Sequence, residues 1–236
     1  MLHRAGSVTT VAVIDYGAGN LVSMEQALLR VGADVVVADG PAMLDGADAM
    51  IVPGVGAAAP AMERLHAAGL VEPIRAWIAA DRPLLGVCLG LQLLFEGSDE
   101  DGAVTLGVVR GRTVRLSDSP TLPHIGWNQV VRRRQDPLFE GIADAADLYF
   151  VHSYAGAPAG GIGDDIVLAT TEHGGSFVSA ISRGRLWGVQ FHPERSADDG
   201  LRLLGNFVRL AARGQLPERG GRTRPGVAAG SGVATG

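Results

Sequence analysis

Short, uninterrupted apolar runs recur through the first part of the chain: Thr10-Val11-Ala12-Val13-Ile14, Val35-Val36-Val37 within Asp34 to Asp39, Asp48-Ala49-Met50-Ile51-Val52, and Pro83-Leu84-Leu85-Gly86-Val87. Hydrophobicity that is continuous rather than alternating marks strands covered on both faces. Between these runs the spacing changes to a helical period, over Leu21 to Val31 and over Met62 to Ala80, which carries Trp77. Strand, helix and strand in alternation predict an α/β fold, with an open, mostly parallel sheet flanked by helices. The second half changes character. Val104 to Leu116, Trp127 to Val131, Leu148 to Val151, Ile166 to Thr170, Phe177 to Ser182 and Leu186 to Phe191 read as strands joined by turns, so antiparallel additions are expected. Arg183-Gly184-Arg185 fits a tight turn between two of them. A last amphipathic helix is expected from Asp198 to Arg213, with Gly214 as its stop.

This pattern predicts a short leader at residues 1–9 and one domain over 10–213. A tail at 214–236 follows, whose Gly, Ala, Pro and Arg content leaves little to bury; it is expected to be disordered. No internal repeat is visible. Composition narrows the function. The net charge of −5 gives no support to nucleic-acid binding, and Arg132-Arg133-Arg134 reads as a solvated strand end. No apolar run approaches the roughly 20 residues that span a bilayer, and the first ten residues lack a signal-peptide apolar region. A single cysteine excludes an internal disulfide framework and a multi-cysteine metal site, and points to a reducing, cytoplasmic setting. No phosphate-binding loop of the G-x-x-x-x-G-K-[ST] form occurs, and no cofactor is expected. The chain has no lysine; its basic side chains, histidine aside, are all arginine.

That one cysteine stands in Gly86-Val87-Cys88-Leu89-Gly90. The stretch has the G-x-nucleophile-x-G form of a nucleophile elbow, between a buried strand and a helix whose first N–H groups favour the reactive thiolate. Taken alone, it leaves open an inert core cysteine. A second pattern is Phe191-His192-Pro193-Glu194 at a strand end. In extended chain, residues i and i+2 share a face, so Glu194 can orient His192 toward Cys88. This is the order nucleophile, base, orienting carboxylate of a triad; alone, an incidental surface pair remains open. Pro53-Gly54-Val55-Gly56 closes another buried strand and could supply an oxyanion N–H, with Leu89 N–H as the second, or be an ordinary turn.

With the elbow and Phe-His-Pro-Glu together, the chain resembles the class I (triad) glutamine amidotransferases, which have a flavodoxin-like sheet. Asp15-Tyr16-Gly17-Ala18-Gly19-Asn20-Leu21, Pro53-Gly54-Val55-Gly56-Ala57, Leu122-Pro123-His124-Ile125-Gly126-Trp127-Asn128 and Tyr149-Phe150-Val151-His152-Ser153-Tyr154 narrow the likeness to glutaminase subunits of imidazole glycerol phosphate synthase, over roughly residues 10–213. The resemblance implies that Cys88 attacks the glutamine side-chain amide, His192 shuttles the proton, Glu194 orients it, and a γ-glutamyl thioester is hydrolysed. It implies oxyanion donors at Val55 and Leu89, and glutamine-binding positions at Gly56, Gln92, Ser153 and Tyr154. Gln92 lies one helical turn after Cys88, on the same face. It further implies a heterodimer with a (βα)8-barrel cyclase, which receives ammonia and makes imidazole glycerol phosphate and aminoimidazole carboxamide ribotide in histidine biosynthesis. Asn20, Tyr149 and Arg195 fall at the partner interface or gate. The family usually has lysine where Arg195 stands; the forked guanidinium is not equivalent to a compact ammonium. The alternatives are the glutaminase subunit of another synthase, a γ-glutamyl hydrolase acting alone, and a non-catalytic interaction module, against which an intact Cys88, His192 and Glu194 argue.

Overall fold

The computed structural model describes residues 8–116 and 121–213. Most of the expected leader, the helix stop at Gly214 and the expected tail lie outside the described residues. The first half runs β1 (Thr10–Ile14), α1 (Leu21–Arg30), β2 (Asp34–Ala38), β3 (Ala49–Val52), α2 (Ala58–Ala67), α3 (Val71–Ala79), β4 (Leu84–Val87) and the single turn α4 (Leu89–Gln92). The second half contributes β5 (Gly97–Ser98), β6 (Gly111–Arg115), β7 (His124–Arg132), β8 (Ala146–His152), β9 (Tyr154–Pro158), β10 (Val167–Glu172), β11 (Ser176–Arg183), β12 (Leu186–Val189) and α5 (Ala197–Arg213).

Among the described residues nine strands form one mixed sheet in the order β2-β1-β3-β4-β12-β11-β10-β7-β8. Pairing is parallel from β2 to β12 and antiparallel from β12 to β8. A small sheet of β5, β6 and β9 stands beside it. Period-two alternation sends successive side chains of the central strands to opposite faces. Val11 and Val13 of β1 join a core with Met24 and Leu28 of α1 and Leu203 and Phe207 of α5. Ala12 and Ile14 join a second core with Leu65 of α2 and Ile74 and Trp77 of α3. All residues of β3 and β4 are buried, which is why those runs carry no polar positions.

Three expectations are corrected. The helix expected over Met62 to Ala80 begins earlier and is two helices. The chain turns at Gly69, whose φ of 68° is left-handed, and α3 restarts at Val71. The apolar period continues through both helices because both face the same core. The strand expected to reach Phe191 stops pairing at Val189, and Glu194 sits on a 3-10 turn, Pro193–Arg195. The helix after the cysteine is one turn long, so its dipole is far weaker than a full helix would supply.

β3, β4 and β12 are consecutive in the sheet and parallel. Their carboxyl ends therefore open at the same rim, where ligands sit in such sheets. Pro53–Gly56, Cys88 and Gln190–His192 all follow directly from those three ends.

Candidate active site

Cys88 is 5% exposed and sits at φ 53°, ψ −108°, a conformation that side chains with a Cβ rarely adopt. The surroundings hold it there. Its backbone N–H donates to Val189 O at 2.8 Å, and its carbonyl accepts from Gln92 N at 3.2 Å. The turn is possible only because Gly90 has no side chain: a Cβ there would overlap the Val52 carbonyl oxygen. The strained φ, close backbone packing and place at the sheet rim, against a cavity, are those of a nucleophile elbow.

His192 is extended, at φ −102° and ψ 96°, and 4% exposed. Pro193 starts the 3-10 turn that brings Glu194 back beneath it, so the i, i+2 contact is made by a turn rather than by a shared strand face. Nδ1 of His192 and Oε1 of Glu194 lie 2.9 Å apart, with both side chains buried. That bond leaves Nε2 as the free ring atom, buried and without a hydrogen-bond partner among the described residues. Burial works against a charge on His192, but the flanking Cys88 and Glu194 outweigh it and push its pKa up to about 10. With that value the ring carries its proton at neutral pH, an imidazolium flanked by the sulfur and the Glu194 carboxylate.

A cavity of about 300 Å³ opens next to Cys88. Gly56, Gln92, Ser153 and Tyr154 all line it, as do Val55 and Leu89. Sequence reasoning missed Glu100 and His152 in its wall. Burial, then the neighbouring Asp101 charge, raises the Glu100 carboxyl above its usual range. Glu100 follows the short strand β5, which no hydrophobic run announces.

The loop expected to supply the oxyanion donors is closed. Leu89 N–H donates to Gly54 O at 3.3 Å. Peptide planarity then directs Val55 N–H to the opposite side from that carbonyl, away from Leu89. Tyr16 Oη donates to Pro53 O at 2.8 Å and fills the space a Cβ on Gly54 would need. Burial, then the charge of Cys88, raises the Tyr16 phenol far above its ordinary value. In this state neither Leu89 nor Val55 offers its N–H to a ligand oxygen beside Cys88.

Two of the three expected interface residues meet. Arg195 lies over the Tyr149 ring, 4.1 Å from its centre. Tyr149 O accepts from His192 N at 2.8 Å, which ties this pair to the imidazole. Asn20 instead caps α1 by accepting from Ser23 N. Trp127 packs edge-on to Tyr149, with ring centres 6.0 Å apart, and is 53% exposed.

Histidines behind the cavity make stability depend on pH in a predictable direction. Burial, with the nearby His173, lowers His124 to about 4. Burial likewise lowers His152 to about 3, against the stabilising bond it donates to Tyr154 O. Below their unfolded value near 6.5 the unfolded chain takes up protons that the folded chain refuses. Stability therefore falls as pH drops from 6.5, by up to about 2.7 kcal/mol per unit for two sites. The raised His192 acts on the other limb: its contribution is complete below 6.5 and is lost as pH rises toward 10. Urea unfolding at pH 5, 7 and 9 should give a maximum near 7, and His192→Asn should flatten only the alkaline limb. A monotonic profile would contradict the assignment.

Residues 12–210 match the model of the glutamine amidotransferase class-I family. The chain is 48% identical over 201 residues to the imidazole glycerol phosphate synthase subunit HisH of Moorella thermoacetica, covering 85% of this chain and 94% of the relative. It is 47% identical over 214 residues to the subunit of the same name from Synechococcus sp. strain JA-3-3Ab, covering 89% and 97%. Among solved structures it resembles a glutamine amidotransferase with TM-score 0.62, 22% identity and coverage of 85% of this chain and 98% of the other. It also resembles a glutamine amidotransferase from Thermotoga maritima, with TM-score 0.59, 16% identity and coverage of 89% and 86%. These two likenesses speak to the fold. Among the described residues no helix is long and apolar enough to cross a membrane.

Proposed function

The chain belongs to the class-I glutamine amidotransferases, and within them to the HisH subunits of imidazole glycerol phosphate synthase; we propose from this that it hydrolyses L-glutamine at Cys88 and passes the ammonia to a (βα)8-barrel cyclase subunit. The observation that carries the mechanism is that the elbow cysteine, in the wall of one cavity, is flanked by the buried His192–Glu194 pair. His192 Nε2 takes the thiol proton, and the sulfur attacks the δ-carbon of glutamine. The tetrahedral oxyanion collapses, the C–N bond breaks, and His192 returns the proton to the leaving ammonia. Water then attacks the γ-glutamyl thioester with His192 as base, releasing glutamate and the thiol. Gly56, Gln92, Ser153 and Tyr154 hold the substrate, and the Glu100 carboxylate suits its α-ammonium group.

Ammonia released into bulk water would be protonated and lost, so the product needs a contained path. Tyr149, Arg195 and Asn20 would face the partner, and exposed Trp127, packed on Tyr149, would give that surface an aromatic anchor. The cyclase would join ammonia to a ribulosyl nucleotide, giving imidazole glycerol phosphate and aminoimidazole carboxamide ribotide. The closed oxyanion loop supports dependence on the partner. A rotation of the Gly54–Val55 peptide would free Leu89 N–H and turn Val55 N–H inward, and the glycine makes that rotation easy.

Glutaminase turnover of the isolated chain should therefore be low. Adding the cyclase with its nucleotide ligand should raise it by about 10²-fold or more, the scale of one to two oxyanion donors. High turnover without a partner would favour a hydrolase acting alone.

A further inference from the structure

Gln190 follows β12, is fully buried, and has no place in the triad. Its side chain lies between Cys88 and Gln92, and the surrounding acceptors decide which way its amide faces. Tyr154 O can only accept. It takes hydrogen bonds from His152 Nδ1 at 2.9 Å and from Gln92 Nε2 at 2.8 Å. The Gln92 amide is thereby set with its nitrogen inward. That nitrogen also donates to Gln190 Oε1 at 3.2 Å. Gln190 must then present Nε2 to the sulfur, and it does, 3.6 Å from Cys88 Sγ. Its backbone N–H is pinned to Ser179 O at 2.9 Å, so the side chain starts from a fixed point.

The geometry points to Gln190 as a positioning residue for the nucleophile and for the cavity-lining amide of Gln92, an inference that rests on the glutaminase reading above. Its amide donates to the sulfur, and a donor stabilises thiolate over thiol. Its carbonyl holds the Gln92 nitrogen, which leaves Gln92 Oε1 as the atom available to the cavity. An acceptor at that place pairs with an N–H donor of the bound amino acid.

The chain's one cysteine makes the test clean, because iodoacetamide can alkylate no other thiol. Carbamidomethylation of the full chain is followed against pH for wild type, Gln190→Met and Gln190→Glu. The methionine variant should react about tenfold more slowly at pH 7, with its profile displaced upward by about one unit, as the loss of one hydrogen bond to a charged group predicts. The glutamate variant, with a carboxylate beside the sulfur, should be displaced further. The methionine variant, which lacks an acceptor for Gln92 Nε2, should also raise KM for glutamine, and the glutamate variant, which keeps one, should raise it less. Superimposable alkylation profiles in folded variants would overturn the proposal, since a merely structural role does not move them. If neither variant folds, the Gln190 side-chain ¹⁵N amide resonance of wild type decides: it should shift when Cys88 is alkylated, and an unmoved resonance would overturn the proposal. Alkylation needs no glutamine, so a chain that failed to hydrolyse glutamine would sink the functional reading and leave this result readable.

Discussion

Cys88→Ala should lower glutamine hydrolysis by at least about 10³-fold while the complex continues to cyclise normally with ammonium salts. The first effect follows because the chain contains no other sulfur nucleophile, and the elbow holds this one against the cavity. A methyl group cannot form the thioester, and water at the same place would need the oxyanion donors without a covalent intermediate. The second effect follows from where ammonia enters. Added ammonium by-passes hydrolysis, and alanine fits a site that already tolerates a Cβ at φ 53°. Loss of ammonium-dependent turnover as well would mean that the substitution had disturbed the assembly rather than the chemistry. Survival of glutamine-dependent turnover would mean that the nucleophile is another group.

His192→Asn should lower kcat by about 10²- to 10⁴-fold, the range expected for loss of a general base, with little change in glutamine affinity. The split arises because the cavity wall is made by Val55–Ala57, Cys88, Leu89, Gln92, Glu100 and the segments around Pro123 and Val151–Tyr154, to which His192 does not contribute. Asparagine can keep a donor toward Glu194 but cannot carry a proton to and from sulfur. Equal losses in affinity and kcat would place His192 in substrate binding instead. Removing the imidazolium also leaves Glu194 buried without its charged partner, so some loss of stability should accompany the kinetic effect.

The parallel strands were plain from the chain because buried strands admit few polar residues: β1, β2, β3 and β4 fall within a residue or so of their apolar runs. The antiparallel strands β7 and β8 were located but not their ends, since one-sided burial leaves a weaker signal. β9 escaped altogether; its Tyr154-Ala155-Gly156-Ala157-Pro158 has almost no bulk, because Phe95 fills the space above Gly156. The elbow and the His192–Glu194 contact could be anticipated from spacing, although the contact is made by a turn that Pro193 starts. Glu100 and Gln190 could not. Glu100 reaches the cavity from a connection after β5, and the bonds of Gln190 cross to residues 98 and 102 positions away. The closed oxyanion loop was equally hidden, since the direction of one peptide plane leaves no mark on composition or period.

The most direct measurement is the site of covalent labelling by a glutamine analogue carrying a diazoketone in place of the carboxamide. Applied to the complex with the cyclase, it should abolish glutaminase activity with one label per chain, on the peptide containing Cys88. Glutamine should protect, and His192→Asn should slow the labelling. Inactivation with the label on any other residue, or complete inactivation with Cys88 unlabelled, would contradict the account.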